Sequence, residues 1–329
     1  IYVKSSETID ILIVAFQTWG SKIFNMLEGS FGFVLYAIKE EKLFLVRDKI
    51  GLEHIFWGKF GSTILFASEL KALISTNIVS QNPSLEALAA YFFLGYLPQD
   101  KTPLKGVNRL LPGYFLVSNK VQQLTISKYW SFKNISLQSQ SLTMDEVSQT
   151  IQELLDNAVK KRLRDDITPG ILLEPTIFST SLAHHLSKEY PQGINSYTSL
   201  FEGVNSRYKE IGANISKDLN FNLHPQEVGP ADLCRDLHKI IWHLDEPLSD
   251  PQSVRIWHLA NYVKDHNKVL FSRLGGTEFL GKNLAQQSLF YEPIFLWFLY
   301  LIKPAVVRGL IPMIHRVNSK WALKSLRFF

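Results

Sequence analysis

The stretch Phe31–Arg47, FGFVLYAIKEEKLFLVR, decides the fold of the first third of the chain. Apolar side chains alternate with period two up to Ile38, which is the pattern of a strand with two distinct faces. The polar pair Glu40 and Glu41 then marks a turn before a second run, Lys42–Arg47. The stretch therefore predicts an antiparallel hairpin.

Short elements separated by glycines continue this antiparallel, strand-rich layer to about residue 130. Ser84 precedes an apolar helical pattern and is predicted to be its N-cap. The composition then shifts to Ser, Gln and Asn between residues 131 and 143, which predicts an interdomain linker. The further predicted elements of this region are strands at 55–57, 63–67 and 113–117 and helices at 69–74 and 84–93.

From Met144 the pattern changes to helices that alternate with apolar runs. This order predicts an α/β domain with a parallel sheet, in which ligands bind outside the carboxyl ends of the strands. We place this domain at residues 144–283 and a helical C-terminal extension at residues 284–329. The predicted elements are helices at 144–163, 179–189, 231–244 and 253–266 and strands at 167–173, 196–201 and 268–272.

Composition narrows the class of protein. The 329 residues are 46% hydrophobic and 20% charged, which is enough apolar material for two domains. The single cysteine, Cys234, excludes an internal disulfide and a CxxC zinc site, so a reducing, cytoplasmic setting is expected.

The longest apolar run, Pro293–Ile302, is far shorter than the ~20 residues of a membrane-spanning helix. The chain opens on Ile1 without a targeting pattern, and we expect that it lacks the N-terminal part of a longer protein.

The formal net charge of +5 comes largely from the C-terminal end. The basic residues there are too widely spaced for a polybasic segment, which favours a solvated helix face over a membrane or nucleic-acid surface. They are Lys303, Arg308, Arg316, Lys320, Lys324 and Arg327.

Several motifs, in conserved order and spacing, resemble the glutamine-dependent asparagine synthetase family. The most specific is the run Phe66–Leu73, FASELKAL, which is similar to the second half of the family's glutaminase domain. The other matching motifs are Arg47-Asp48 with Gly51, Leu111-Pro112-Gly113, Tyr129-Trp130, Arg162-Leu163-Arg164 with Asp166, and Trp242–Leu248 with Asp250.

The resemblance implies a two-site amidotransferase. Residues 1–130 would be the C-terminal part of a class II glutamine amidotransferase domain, an antiparallel αββα sandwich remnant of the N-terminal-nucleophile (Ntn) type. Residues 144–283 would be an ATP-pyrophosphatase-like domain, related to adenine nucleotide α hydrolases. The implied small molecules are glutamine, aspartate and ATP with Mg²⁺, and a homodimer or an assembly partner is possible. No nucleic-acid partner is expected.

The glutaminase half departs from the family pattern. The family nucleophile is an N-terminal cysteine whose own amino group can serve as base, whereas this chain begins with Ile1. Cys234 lies in the other predicted domain and is expected to be a packing residue. The family's glutamine-binding aspartate falls on Thr8. No catalytic residue is assigned, and glutaminase activity is not expected unless a preceding segment supplies the nucleophile.

The first ATP loop of the synthetase half is also altered. The family reads Ser-Gly-Gly-Leu-Asp-Ser, with backbone N–H groups that converge on phosphate oxygens. Here the matching residues are Glu174 to Ser179, and only the final serine survives. Glu174 adds a carboxylate, and Pro175 has no N–H to donate. Two anions ~4 Å apart repel by about 4 kcal/mol at an effective dielectric of 20, so ATP affinity should fall.

The second loop, Ser272 to Lys282, has lost both of the family's aspartates, which are Leu274 and Thr277 here. Carboxylates that could hold Mg²⁺ are therefore removed. By family position, the remaining ATP-binding candidates are Leu173, Ser179, Ser199, Ser272 and Gly275.

Four carboxylates remain as candidates for a substrate or metal site: Asp245, Glu246, Asp250 and Glu278. An Asp- and Pro-rich turn has the same composition for backbone reasons alone, and both interpretations stay open. No metal site is assigned. A further alternative is a different anion site, built from Arg273, Lys282 and Lys209.

Three hypotheses about function follow. The favoured one is a family protein with degraded ATP loops that is catalytically impaired, or a pseudoenzyme that serves as an assembly partner. The second is an active asparagine synthetase or a related amide-forming ligase. The third is a biosynthetic ligase that acts on a peptide or sugar carboxylate.

Overall fold

The computed structural model describes residues 8–119, 123–132, 143–164, 166–203, 206–247 and 250–276. The described residues group into two compact units that divide at residue 139, except that residues 241–249 belong to the first unit. The described residues do not include residues 133–142 of the predicted linker or the predicted C-terminal extension. Glu278 and Lys282 also lie outside them.

The first unit contains two antiparallel sheets, with strand orders β1-β2-β6-β7 and β4-β3-β5. The hairpin predicted from Phe31–Arg47 is present, with Phe33 opposite Val46 and Tyr36 opposite Leu43. The strands are β1 (Gly32–Ala37), β2 (Lys42–Arg47), β3 (Phe56–Phe60), β4 (Thr63–Ala67), β5 (Asn108–Arg109), β6 (Tyr114–Ser118) and β7 (Leu124–Lys128). The helices are α1 (Thr8–Trp19), α2 (Ile23–Met26), α3 (Leu70–Ile74) and α4 (Leu85–Leu94), with a 3₁₀ turn at Gly20–Lys22.

Packing in this unit places the two sheets between helices. On one face of the larger sheet, Phe44 packs with Phe24 of α2. On its other face, Leu45 packs with Trp57 of the smaller sheet. The opposite face of the smaller sheet carries Phe56, which packs against α3. The layers of the first unit are therefore helix, sheet, sheet and helix. The predicted N-cap of α4 is confirmed, because the Ser84 hydroxyl accepts a hydrogen bond from the Ala87 N–H at 3.3 Å.

The second unit contains a parallel four-stranded sheet in the order β10-β9-β8-β11, as the sequence predicted. Its strands are β8 (Gly170–Leu172), β9 (Asn195–Phe201), β10 (Asn222–Val228) and β11 (Leu270–Phe271). Its helices are α5 (Met144–Lys160), α6 (Ile177–Glu189), α7 (Ser206–Asp218), α8 (Pro230–Leu244), whose last four residues belong to the first unit, and α9 (Gln252–Val263).

Helices cover both faces of this sheet. Ile171 and Leu173 pack on one face with Val159 of α5 and Leu186 of α6. Leu172 and Tyr197 pack on the other face with α9. A capping box fixes the start of α5, since Thr143 and Glu146 exchange hydrogen bonds between side chain and backbone. No helix among the described residues is long and apolar enough to cross a membrane.

Candidate functional site

The turn between β8 and α6 lies at the carboxyl end of the parallel sheet. Leu173, fully buried, continues the strand: its N–H donates to the Tyr197 carbonyl at 2.7 Å, and its carbonyl accepts from the Thr198 hydroxyl at 2.8 Å. Helix α6 then begins at Ile177 with Thr176 as its N-cap. Folds of this kind bind phosphate at such a strand-to-helix turn, because helix N-terminal N–H groups face it.

The polar groups of this turn are largely bonded to one another. The Ser179 hydroxyl accepts from the Glu174 N–H at 2.9 Å and donates to the Leu172 carbonyl at 3.2 Å. The Thr176 N–H donates to the Glu174 carbonyl at 2.7 Å, and Pro175 has no N–H. Ser179, the surviving family serine, therefore acts as a clip that closes the turn.

Two arginines hold the Glu174 carboxylate. Arg255 of α9 donates to one carboxylate oxygen at 2.7 Å, and Arg273, after β11, forms an ion pair with the other oxygen. The three side chains are only 13%, 14% and 25% exposed for Glu174, Arg255 and Arg273, so bulk water screens them weakly. One carboxylate between two guanidiniums leaves a net charge of +1 in this group, which we call the Glu174 cluster.

The second loop lies beside the first. The Gly276 N–H donates to the Arg273 carbonyl at 2.9 Å, and Gly275 has a φ of +89°, which favours glycine. A side chain at Gly276 would start 3.5 Å from the Cβ of Phe178 in α6. The structure thus brings together the two loops that the resemblance singled out, because Arg273 contacts Glu174 and Gly276 lies beside Phe178.

Most of the polar groups in the first loop already have partners within it. The Glu174 carboxylate lies in the turn, and the N–H groups of Glu174, Thr176 and Ser179 already have acceptors within it. Among the described residues there is also no group of three His, Cys, Asp or Glu side chains that could hold a metal ion. The first loop is built around its own carboxylate.

Other predicted residues have separate positions. Ser199 of β9 is buried, and its hydroxyl has no hydrogen-bond partner among the described residues. The Asp250 carboxylate accepts the Gln252 N–H at 2.9 Å, at the start of α9. Lys209, proposed with Arg273 as part of an alternative anion site, forms an ion pair with Glu227. Arg273 pairs with Glu174, so the structure does not bring Lys209 and Arg273 together.

Asp245 and Glu246 lie in the first unit, apart from Asp250. The Asp245 carboxylate accepts hydrogen bonds from the Leu70 and Lys71 N–H groups at the start of α3, at 2.9 and 3.4 Å. The Lys71 ammonium is 3.2 Å from the same carboxylate. Glu246 forms an ion pair with Arg109 of β5. Both carboxylates therefore fix the segment 241–247 within the first unit.

The Arg47-Asp48 motif of the first unit forms a self-contained turn. The Asp48 carboxylate, fully buried, accepts four backbone N–H groups, those of residues 50 to 53, at 2.7 to 3.1 Å. The Arg47 guanidinium donates to three backbone carbonyls, those of Gly51, Glu53 and Leu110. Burial lowers the pKa of Arg47 to about 10, so it stays charged at neutral pH.

Two further predicted residues, Tyr129 and Thr8, lie in the first unit. The Tyr129 hydroxyl donates to the Arg47 carbonyl at 2.6 Å, and burial raises the pKa of this phenol. Thr8, at the predicted glutamine-binding position, is the exposed first residue of α1.

Arg255 is the member of the Glu174 cluster that the sequence did not identify. A basic residue in the first turn of a helix gives no signal that it reaches a loop 81 residues away.

The chain matches two protein families along its length. The family described as "Glutamine amidotransferase domain" matches residues 2–130. The family described as "Asparagine synthase" matches residues 150–325, more than half of the chain. The chain therefore belongs to the asparagine synthase family, with a glutamine amidotransferase domain before the synthase domain.

Among curated relatives, a Mycobacterium tuberculosis (strain H37Rv) protein provisionally named glutamine-hydrolyzing asparagine synthetase is 27% identical over 305 residues, covering 90% of this chain and 45% of that protein. The Bacillus subtilis (strain 168) asparagine synthetase 1 is 23% identical, covering 88% of this chain and 45% of that protein. The chain thus spans about half the length of these relatives. The glutamine-dependent NAD⁺ synthetase from Acinetobacter baumannii, solved with ADP, is 11% identical with a TM-score of 0.31, covering 85% of this chain and 68% of that one.

Proposed function

We propose that this chain is an asparagine synthetase-family protein whose second unit no longer carries out ATP-dependent amide formation. The family reaction amidates aspartate with ammonia from glutamine and activates the acceptor carboxylate with ATP and Mg²⁺. The single observation that carries the proposal is the Glu174 cluster in the turn between β8 and α6. A pseudoenzyme that acts as an assembly partner, including a homodimer, is the role that fits a folded but altered site.

The energetic case rests on occupancy of the turn. A triphosphate there would have to compete with the Glu174 carboxylate for Arg255 and Arg273, which already bind that anion. Moving the carboxylate aside would break its contacts with Arg255 and Arg273. Pro175 removes one backbone donor, and Ser179 uses its hydroxyl inside the turn. Each of these contributions lowers the affinity for ATP.

For the first unit, we propose an Ntn-type sandwich that lacks glutaminase activity in the chain as it stands. The helix, sheet, sheet and helix layers of this unit support the sandwich. The presence of Thr8 at the glutamine-binding position supports the lack of activity.

An active asparagine synthetase or a related amide-forming ligase is the second candidate. It is favoured by Ser199, a family ATP position whose buried hydroxyl has no partner among the described residues and could still accept or donate to a ligand. The family match over residues 150–325 favours the same candidate.

ATP–pyrophosphate exchange tests the proposal. The full chain is incubated with Mg²⁺, ATP and aspartate, and then with other carboxylate acceptors including peptides and acidic sugars. We expect no exchange above the protein-free background. Exchange with aspartate would establish an asparagine synthetase, and exchange with another acceptor alone would establish a different ligase. The control carries the family loop, with Glu174→Ser, Pro175→Gly, Thr176→Gly, Ile177→Leu and Phe178→Asp.

A further inference from the structure

We propose that Arg255 and Arg273 form an oxyanion site whose resident ligand is the Glu174 carboxylate, so that a phosphate-bearing ligand can bind there only by displacing it. The inference deepens the proposed function and rests on it, because it states what now fills the altered turn. The chain would carry its own anion where a free one would otherwise bind.

The contacts of the carboxylate resemble those of a bound ligand. Its two oxygens are divided between two guanidiniums, one from α9 and one from the loop after β11. These partners lie 81 and 99 residues from Glu174 along the chain. Guanidinium groups are the side chains best suited to carboxylate and phosphate oxygens, because each presents several N–H donors in a planar fork. Three separate segments thus converge on one anion.

The site has donors that the carboxylate does not use. The Nε of Arg255 is buried and has no hydrogen-bond partner among the described residues. Its guanidinium lies over the Phe201 ring at 5.8 Å, which holds the group in place from below. A phosphate or pyrophosphate group has more oxygens than a carboxylate and could accept from such a donor.

Ser199 adds a second unused polar group nearby in the sheet. Residues Ser199 and Phe201 are two apart on β9 and so face the same side, the side on which Arg255 covers Phe201. The Ser199 hydroxyl is buried without a partner among the described residues. A buried hydroxyl and a buried guanidinium N–H that both lack acceptors are expected to favour a ligand rich in oxygen.

The net charge of the Glu174 cluster also supports an oxyanion site. The Glu174 cluster keeps a net charge of +1 while its carboxylate is present, and it would carry +2 without it. Helix α6 begins directly after the turn, and Arg255 lies in the first turn of α9, so two helix N-termini add partial positive charge. Removal of the carboxylate would therefore leave two adjacent guanidiniums without a counter-anion.

A structural ion pair is the alternative, and the chain offers a matched control for it. Glu227 and Lys209 form an ion pair in the same unit, but with a single cation and with both side chains nearly half exposed. Removal of the Glu227 carboxylate frees one solvated lysine and should create no site.

The test is isothermal titration calorimetry with inorganic pyrophosphate and, separately, phosphate, on the full chain. Glu174→Gln keeps the shape of the side chain and removes its charge. We expect saturable pyrophosphate binding to Glu174→Gln that is at least about tenfold tighter than to the unmodified chain. Adding Arg255→Gln and Arg273→Gln to that variant should abolish the binding, and Glu227→Gln should behave like the unmodified chain.

Thermal unfolding of Glu174→Gln with and without millimolar pyrophosphate covers the case in which the variant folds poorly. We expect pyrophosphate to raise its Tm and to leave that of the unmodified chain unchanged. The proposal is overturned if folded Glu174→Gln binds no oxyanion, if the unmodified chain binds equally tightly, or if pyrophosphate fails to restore an unfolded variant. Failure of the proposed function would appear elsewhere, as ATP–pyrophosphate exchange by the unmodified chain.

Discussion

Two turns of the molecule each contain a carboxylate after a strand, fully buried for Asp48 and 13% exposed for Glu174, and the carboxylates have different partners. In the first unit, Asp48 follows β2 and accepts four N–H groups from the five residues after it. In the second unit, Glu174 follows β8 and is held by Arg255 and Arg273, which come from distant segments. The first carboxylate satisfies its own backbone, and the second neutralises side chains from elsewhere.

The difference explains which family motif persists. The Arg47-Asp48 turn needs both side chains for its backbone to be buried, whatever the activity of the protein, because unsatisfied buried polar groups are costly. The turn after β8 is needed in its family form only if it binds nucleotide phosphates. We therefore propose that the motif used by the fold is present here because the fold needs it, whereas the family loop that binds a ligand has been replaced.

The largest expected effect is that of Asp48→Ala. Four backbone N–H groups would lose their acceptor and Arg47 would lose a neighbouring charge, so we expect a loss of about 3–5 kcal/mol from the stability of the first unit. Chemical denaturation followed by peptide-resolved hydrogen exchange measures it. Asp48→Asn keeps one carbonyl oxygen and should lose roughly half as much; a cost below about 1 kcal/mol for the alanine variant would contradict the structural role.

Glu174→Gln should destabilise the second unit by about 1–3 kcal/mol in buffer free of phosphate and sulfate, because two largely buried guanidiniums lose their counter-charge. The matched variant Glu227→Gln removes a half-exposed partner of Lys209 and should change stability by no more than about 0.5 kcal/mol. Urea denaturation of both variants provides the comparison. Equal effects would mean that burial of the Glu174 cluster has no energetic consequence.

Ser179→Ala tests the clip that closes the turn. The variant loses the acceptor of the Glu174 N–H and the donor to the Leu172 carbonyl, and we expect a cost of about 1–2 kcal/mol to the second unit. Faster hydrogen exchange at the Glu174 amide should accompany it. Unchanged exchange there would show that the hydroxyl does not hold the turn.

The smallest effect should come from Tyr129→Phe. It removes one hydrogen bond, to the Arg47 carbonyl, and leaves the aromatic ring packed beside Phe24 and Phe115. We expect a loss of about 0.5–1.5 kcal/mol from the first unit. A cost as large as that of Asp48→Ala would contradict this expectation and would mean that the Tyr129 hydroxyl supports the region as much as the Asp48 carboxylate does.

The elements that the sequence predicted best are those with a clear period. The predicted strands at 42–47 and 63–67 coincide with β2 and β4, and the helix predicted from Met144 begins there. The sequence did not predict α7 or β10. Strand β10 lies at the sheet edge and contains Pro225 among polar residues, a composition that is typical of loops but that an edge strand tolerates.

In the candidate site, too, the sequence predicted the local feature but not the contact between distant segments. The sequence predicted a carboxylate at Glu174 in the altered turn, because the turn is local and its position follows from the strand before it. It did not predict the pairing with Arg255, because that contact depends on how α9 crosses the sheet. Asp245 and Asp250 are close in sequence, yet they lie in different units, and only tertiary structure shows it.

Magnesium-ATP binding by calorimetry on the full chain tests the central claim most directly. A loop variant with Glu174→Ser, Pro175→Gly, Thr176→Gly, Ile177→Leu and Phe178→Asp is titrated beside it. The turn filled by its own carboxylate predicts no measurable binding by the unmodified chain and partial recovery in the variant. Micromolar binding by the unmodified chain would contradict the claim and would favour an active ligase.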